Sequence, residues 1–241
     1  MSVIYEPSGK AREYSELACN LFTGCRHRCV YCYCPAILHQ TLAAWSGNPR
    51  PRENILQLLD KEAAKMPGCS KEILFCFMSD PYQTEEAAHI TRRALLICER
   101  HKFKKVNILT KAGMRAMDDF DIFGRNPGWK FGSTIVFKDE SLRQQWEPSA
   151  PPIESRYTAV MDAFKRKIYT WVSVEPVIDP QEALQVMSDL KSYVNFWKVG
   201  KLNHFPEIEK TIDWGKFLAD VRVMLNGSNY YIKKDLLAYE R

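Results

Sequence analysis

No apolar run in the 241-residue chain approaches the roughly 18 residues that a membrane helix needs, so a membrane-spanning protein is not expected. The opening Met1 to Arg12 is polar and charged, unlike a secretory signal, and the cytoplasm is the expected compartment. Low-complexity, collagen-like and coiled-coil patterns are absent. The one proline-rich stretch, Glu147 to Pro152, reads as a rigid loop rather than a linker. No cysteine follows Cys98. All eight (Cys19, Cys25, Cys29, Cys32, Cys34, Cys69, Cys76 and Cys98) lie before that point. Disulfides are not expected in a chain of this size without an export signal, and a metal or redox site near the N-terminus is the better reading. The net charge of +5 permits a nucleic-acid partner without requiring one.

What is present is a rhythm. Strand-length apolar runs recur at Leu17 to Phe22, Glu72 to Met78, Lys105 to Thr110, Lys130 to Phe137, Ile168 to Glu175 and Val194 to Gly200. Several are nearly continuous in Val, Ile, Leu and Phe, which suits parallel strands buried on both faces. Helical patterns lie between and after them, at Pro51 to Met66, Glu85 to His101, Ala112 to Phe123, Ile153 to Lys165, Gln181 to Leu190 and Ile208 to Leu225. Six strand-helix units fall short of a closed eight-unit barrel. The expected fold is therefore α/β: an open, partial (β/α)6 TIM-like barrel with parallel strands. Residues 1–15 form an N-terminal extension and 16–241 the barrel. A doubly wound sheet is the alternative.

The first strand runs into Cys25-Arg26-His27-Arg28-Cys29-Val30-Tyr31-Cys32-Tyr33-Cys34. Thiolates are soft ligands for iron–sulfur clusters, zinc or copper(I). Three of them can hold three irons of a cubane and leave one iron open, whereas a closed electron-transfer cluster takes four. Cys34 is a candidate fourth ligand, but it stands only two residues from Cys32. A structural zinc site is the other reading, although no second ligand pair follows, and His27 and His39 are poorly spaced.

Cys25-x-x-x-Cys29-x-Tyr31-Cys32 at the end of a first barrel strand resembles the signature of the radical S-adenosylmethionine (SAM) superfamily. The Tyr5 to Tyr14 segment, Asn20 to Cys25, and Ser79-Asp80-Pro81-Tyr82-Gln83 resemble its spore photoproduct lyase-like branch. The resemblance implies that Cys25, Cys29 and Cys32 bind a 4Fe-4S cluster and that SAM chelates its open iron. An electron from an external donor then cleaves SAM to methionine and a 5′-deoxyadenosyl radical, which takes hydrogen from a substrate. Tyr31 would lie by the adenine, Ser79 and Asp80 by the amino group, and Lys111 by the carboxylate.

Chemistry in β/α barrels sits at the C-terminal strand ends, which selects the same candidates independently. Ser79 and Asp80 follow the second strand and Lys111 the third. Ser133 and Thr134 end the fourth, and alternation lets only one of them face the interior; Ser133 is the residue assigned to cofactor binding. Glu175 ends the fifth, where a buried acid needs a ligand or a lysine, with Lys198 as candidate partner. Arg143 and Arg156 read as solvated or structural, or else as contacts to an anionic ligand. Photoproduct lyases carry a hydrogen-donating Cys two residues before the strand-two Ser. That position is Phe77 here, and Cys76 should face away; Tyr31, Tyr33 and Tyr82 are substitutes. Cys69 and Cys98 read as packed small hydrophobes.

The resemblance and the basic groups Arg26, Arg28, Lys102, Lys104, Lys105, Lys233 and Lys234 favour nucleic acid as substrate. A peptide or a small molecule is the alternative. The rival function is a non-catalytic iron–sulfur redox or binding protein. Oligomeric state is not legible.

Overall fold

A computed structural model describes residues 2–240. Its strands are β1 (Ile4–Tyr5), β2 (Leu17–Cys19), β3 (Phe22–Thr23), β4 (Arg50–Pro51), β5 (Ile73–Phe75), β6 (Val106–Thr110), β7 (Lys130–Thr134), β8 (Tyr169–Val177), β9 (Phe196–Lys201) and β10 (Tyr230–Ile232). β3 and β4 form a small antiparallel ribbon, and the rest make one sheet in the order β1-β2-β5-β6-β7-β8-β9-β10. β1 is antiparallel to β2, and every later pairing is parallel. The two edges do not pair. The architecture is the expected open, TIM-like one, extended by β1 and by β10, whose three residues are too short to register as a periodic run.

The helices are α1 (Cys34–Ile37), α2 (Leu42–Gly47), α3 (Ile55–Ala63), α4 (Glu85–Arg100), α5 (Phe120–Arg125), α6 (Glu140–Trp146), α7 (Ile153–Lys165), α8 (Pro180–Leu190), α9 (Pro206–Glu209), α10 (Trp214–Met224) and α11 (Lys234–Leu237). Local chemistry sets several starts. Thr84 caps α4 by accepting from Ala87 N. Asp179 caps α8, with Pro180 at its first position, where a missing N–H costs nothing. Two expected helices are broken. In the region expected as Ala112 to Phe123, Gly113 adopts φ +61 with Ser155 pressed against it, so a 3-10 segment (Gly113–Asp119) precedes α5. In Ile208 to Leu225, Asp213 caps a fresh start by accepting from Lys216 N.

Strand register decides which side chains face the barrel interior. Gly132 pairs with Trp171, Thr134 with Ser173, and Ser173 with Lys198. That face is the interior, because Trp171 lies across Gly132, where a Cβ would stand 2.2 Å from its ring, and donates to Asn107 Oδ1 at 2.6 Å. The opposite face carries Ile108, Phe131, Val172, Trp197 and Val199, fully buried beneath the helices. Burying this layer at about 25 cal/mol per Å² of apolar surface is the main stabilising term.

Residues ahead of β2 are built into the barrel. Tyr14 rises between Trp171 and Lys198: its ring lies 6.2 Å from that of Trp171, and Lys198 Nζ sits 4.0 Å from its centroid. Lys10 reaches Asp235 at 2.8 Å, on the far edge of the sheet. Lys198 Nζ donates to Glu13 O at 2.6 Å. The segment Gly9–Tyr14 thus straps the open side between β2 and β10.

Candidate active site

β2 ends at Cys19 because Asn20 leaves the ladder and ties two elements together. Its Nδ2 donates to Tyr5 Oη at 2.8 Å, and its Oδ1 accepts from Met78 N at 3.2 Å. The chain then turns through β3 and Gly24, at φ +85, where a Cβ would stand 2.7 Å from Trp45 O. The cysteine loop follows, at the C-terminal end of the first parallel strand. Three neighbours hold it. Gln83 accepts from Arg26 N at 2.7 Å and donates to Gly24 O at 3.3 Å. Val30 N donates to Trp146 O at 2.8 Å, and Ser149 N donates to His27 O at 3.2 Å.

Cys25 and Cys32 are half-buried and Cys29 is buried. Burial pushes the Cys29 thiol up to about 12, against the pull of Lys111. Cys32 is lowered to about 7, first by a hydrogen bond from Cys34 and against burial. Cys34 is 2% exposed, and its Sγ lies 3.2 Å from Met78 O. Turned to Met78 O and only two residues from Cys32, Cys34 is tightly placed for a separate corner of the same cubane. Among the described residues no three His, Cys, Asp or Glu side chains converge to share a single ion. A mononuclear zinc site needs such convergence; a cubane binds each thiolate to a different iron and does not. Three soft thiols on one loop are a donor set that suits a cluster.

The strand ends complete the site. Asp80, 6% exposed, accepts from Tyr82 N at 2.8 Å, Thr110 Oγ1 at 2.7 Å and Lys111 N at 2.7 Å. His27 Nε2 lies 3.0 Å from its Oδ2. Burial raises the Asp80 carboxyl, but His27 and these donors outweigh it and bring it to about 2. With both oxygens engaged, Asp80 anchors the cysteine loop to β5 and β6 rather than presenting a free carboxylate. Ser79 Oγ beside it is shielded from solvent and has no hydrogen-bond partner among the described residues. Lys111 Nζ stands 5.5 Å from the centroid of the Tyr31 ring. Burial works against its charge, and Cys29 and Glu147 more than restore it.

Two expectations need correction. Ser133 lies on the outer face and donates to Thr110 O at 3.1 Å; Thr134 is the interior residue, as alternation requires. Lys233, at 3.0 Å, is the ion-pair partner of Glu175 instead of Lys198, and the Tyr14 hydroxyl also donates to that carboxylate. Gly200 makes room for Glu175, since a Cβ there would stand 2.7 Å from its Cδ. Of the readings given for Arg143 and Arg156, the structural one fits: they are 5% and 0% exposed and pair with Glu140 and Glu147. Arg143 donates to Glu147 O and Ala150 O at 2.7 and 2.8 Å.

Sequence reasoning missed Glu147. Its side chain and that of Arg156 are both fully buried and lie 2.5 Å apart, and the Tyr31 hydroxyl donates to the same carboxylate. The only signal was an acid opening the chain's one proline-rich loop. The other alternative donors are similarly occupied. Tyr82 Oη donates to Asp119 at 2.9 Å, and Tyr33 Oη donates to Phe77 O at 2.7 Å. Cys76 is buried in the core, as is Cys98, while Cys69 packs against it. Phe77 meets Tyr14 edge to face at 5.8 Å. A cavity of about 470 Å³ opens at the opposite end of the sheet, among Arg12, Glu16, Glu72, Lys105 and Lys130; no thiol lines it.

No protein-family model matches the chain, and no curated protein matches it. Solved structures do. A mutant of spore photoproduct lyase superposes with a TM-score of 0.71 at 12% identity, covering 95% of this chain and 79% of that one. The lyase complexed with dinucleoside spore photoproduct gives 0.67 at 13%, covering 94% and 79%. Streptococcus suis SuiB bound to S-adenosylmethionine gives 0.63 at 13%, covering 92% of this chain and 51% of its own. The chain spans about half the length of SuiB. At these identities the likeness establishes a shared fold.

Proposed function

We propose that the chain is a radical SAM enzyme, with Cys25, Cys29 and Cys32 holding a 4Fe-4S cluster. The observation that carries this reading is the placement of those thiols. They sit on one clamped loop at the C-terminal end of the first parallel strand, in a fold shared with structures that include a SAM complex. When bound, the cluster and SAM supply the one-electron cleavage that yields a 5′-deoxyadenosyl radical; that chemistry belongs to the cofactors.

The chain's residues bind, orient and exclude. Tyr31, fixed by Glu147, presents its ring beside the loop for the adenine. The unpartnered Ser79 hydroxyl and the strand-end backbone around it offer acceptors to the amino group. Lys111 supplies a cation for the carboxylate. Asp80 positions the loop through His27. Glu175, already paired with Lys233, lines the interior with Thr134. Tyr14, Phe77 and Trp171 fill the barrel below and keep water from the reaction side.

The substrate reading is a nucleic acid. It is supported by the dinucleoside bound to spore photoproduct lyase; a peptide substrate is the competing class, since SuiB was solved with its precursor peptide SuiA. The test is anaerobic reconstitution with iron and sulfide, reduction, addition of SAM, and assay for 5′-deoxyadenosine, with and without oligonucleotides and peptides. Formation of 5′-deoxyadenosine is the expected result. A cluster that leaves SAM intact under every condition favours a non-catalytic iron–sulfur protein.

A further inference from the structure

We propose that the outer face of the cysteine loop and α1 is the docking surface for the protein that delivers the reducing electron, a one-electron carrier with an acidic rim. The proposal rests on the enzyme reading above. From Leu17 to Arg52 the chain contains no Asp or Glu, although 29 occur in its 241 residues, and the same stretch carries Arg26, Arg28, Arg50 and Arg52. Arg26, Arg28 and Arg50 are exposed. Around the helices most surface arginines are neutralised in pairs, Arg92 with Asp121, Arg100 with Asp60, Arg125 with Glu99, Arg166 with Asp162 and Arg222 with Glu240, with Arg93 on α4 the exception. The three beside the cysteine loop form no ion pair among the described residues. Arg50 lies opposite Thr23 in the β3–β4 ribbon, which places it next to the start of the loop.

Along the same stretch stand Val30 at 44% exposure, Ile37 at 61% and Leu38 at 37%. An apolar centre within a charged rim is the anatomy of a protein interface, and electron-transfer encounters use small ones. A phosphate backbone would engage the arginines but has nothing to offer Val30, Ile37 and Leu38, so the aliphatic group favours a protein partner. The position is the one the chemistry needs. Val30 lies between Cys29 and Cys32, and Ile37 ends α1, which follows directly, so a carrier seated on this stretch stands beside the cysteine loop. One electron would pass from the carrier's reduced flavin or iron–sulfur centre to the 4Fe-4S cluster that Cys25, Cys29 and Cys32 would hold, which is reduced by one electron. The carrier is oxidised by one electron, and no bond is made or broken in the transfer.

The test uses reconstituted protein and a reduced acidic flavodoxin as probe. The variants are R26E/R50E and Ile37→Ser, with Lys165→Glu, on an exposed helix end, as control. Two readouts are taken: the flavodoxin Kd by fluorescence titration at low and high salt, and 5′-deoxyadenosine formed with flavodoxin or with dithionite. R26E/R50E is expected to weaken binding about tenfold or more, because steering by local charge contributes factors of about 10 to 1000, and to flatten its salt dependence. Ile37→Ser should weaken binding without changing the salt slope. Dithionite, being small, should support both variants as it supports the parent. Parental Kd values in both variants would overturn the proposal. So would a single-stranded 20-mer oligonucleotide binding the parent and losing affinity in R26E/R50E while flavodoxin is unaffected. Failure of dithionite to yield 5′-deoxyadenosine in the parent sinks the enzyme reading instead, and the Kd comparison still decides the docking face.

Discussion

Removing the charge of Glu147 should unfold the protein more readily and free the cysteine loop together. The carboxylate and the Arg156 guanidinium are both fully buried at 2.5 Å. Burial raises the Glu147 carboxyl, but Arg156, Lys111 and the Tyr31 hydroxyl hold it below its usual range. Breaking such a pair by removing one partner costs about 3–5 kcal/mol, because the other charge is left buried and uncompensated. Arg156 keeps two backbone acceptors, Thr134 O and Pro151 O, each at 3.1 Å, so the lower end, about 3 kcal/mol, is expected for Glu147→Gln. For a chain of this length that corresponds to a fall in Tm of about 6–12 °C. Replacing both partners, as in Glu147→Gln with Arg156→Met, should recover part of the loss, since desolvation of both charges is then avoided. The assay is urea unfolding of the metal-free protein for the parent, both single variants and the double variant, with Tyr31 fluorescence isolated by a Tyr31→Phe control. Additive single effects, or a loss under about 1 kcal/mol for Glu147→Gln, would refute the coupling. The pH direction follows. A carboxyl lowered in the folded state stabilises above its unfolded value and loses that contribution as pH falls through the folded one, so the parent should lose more stability than Glu147→Gln below about pH 4.5.

Cys34→Ala should retain iron and sulfide after reconstitution while Cys29→Ala loses them, read by metal analysis and visible absorbance; loss of the cluster in Cys34→Ala would overturn the three-thiolate assignment. Asp80, held at about 2 against an ordinary value near about 3.9, contributes about 2–3 kcal/mol that is present above about pH 4 and disappears as pH falls towards about 2; Asp80→Asn should abolish that part of the acid transition in metal-free protein. Lys198 is lowered to about 8, chiefly by burial, with Glu175 opposing. The unfolded chain therefore binds more protons between about pH 8 and about 10.5, stability contributed by this group rises with pH across that window, and a Lys198→Met variant should lack the rise, by about 3 kcal/mol relative to parent in pH-dependent urea unfolding.

Much of the candidate site could be named from the sequence because its chemistry is local. Cys25, Cys29 and Cys32 are near in sequence, and soft ligands at that spacing limit the possible centres. Ser79, Asp80, Lys111 and Glu175 were found because polar residues ending apolar runs stand out against parallel-strand composition. The fold was legible for the same reason: near-continuous Val, Ile, Leu and Phe runs mark strands buried on both faces, and α7 begins and ends where periodicity put it. Short strands without a periodic run, β1 and β10, carry no such signal.

The sequence by itself determined the strand–helix alternation, the open parallel architecture and a three-thiol loop at its first strand end, because each rests on neighbours within about one element length. Tertiary structure alone decided which of Ser133 and Thr134 faces inward, since a period-2 alternation has two phases and only packing against Trp171 selects one. It alone joined Glu147 to Arg156 and Tyr31, and Tyr14 to Glu175 across 161 positions. Buried charges must find partners, but nothing in a linear chain says which distant residue the fold will bring to meet them.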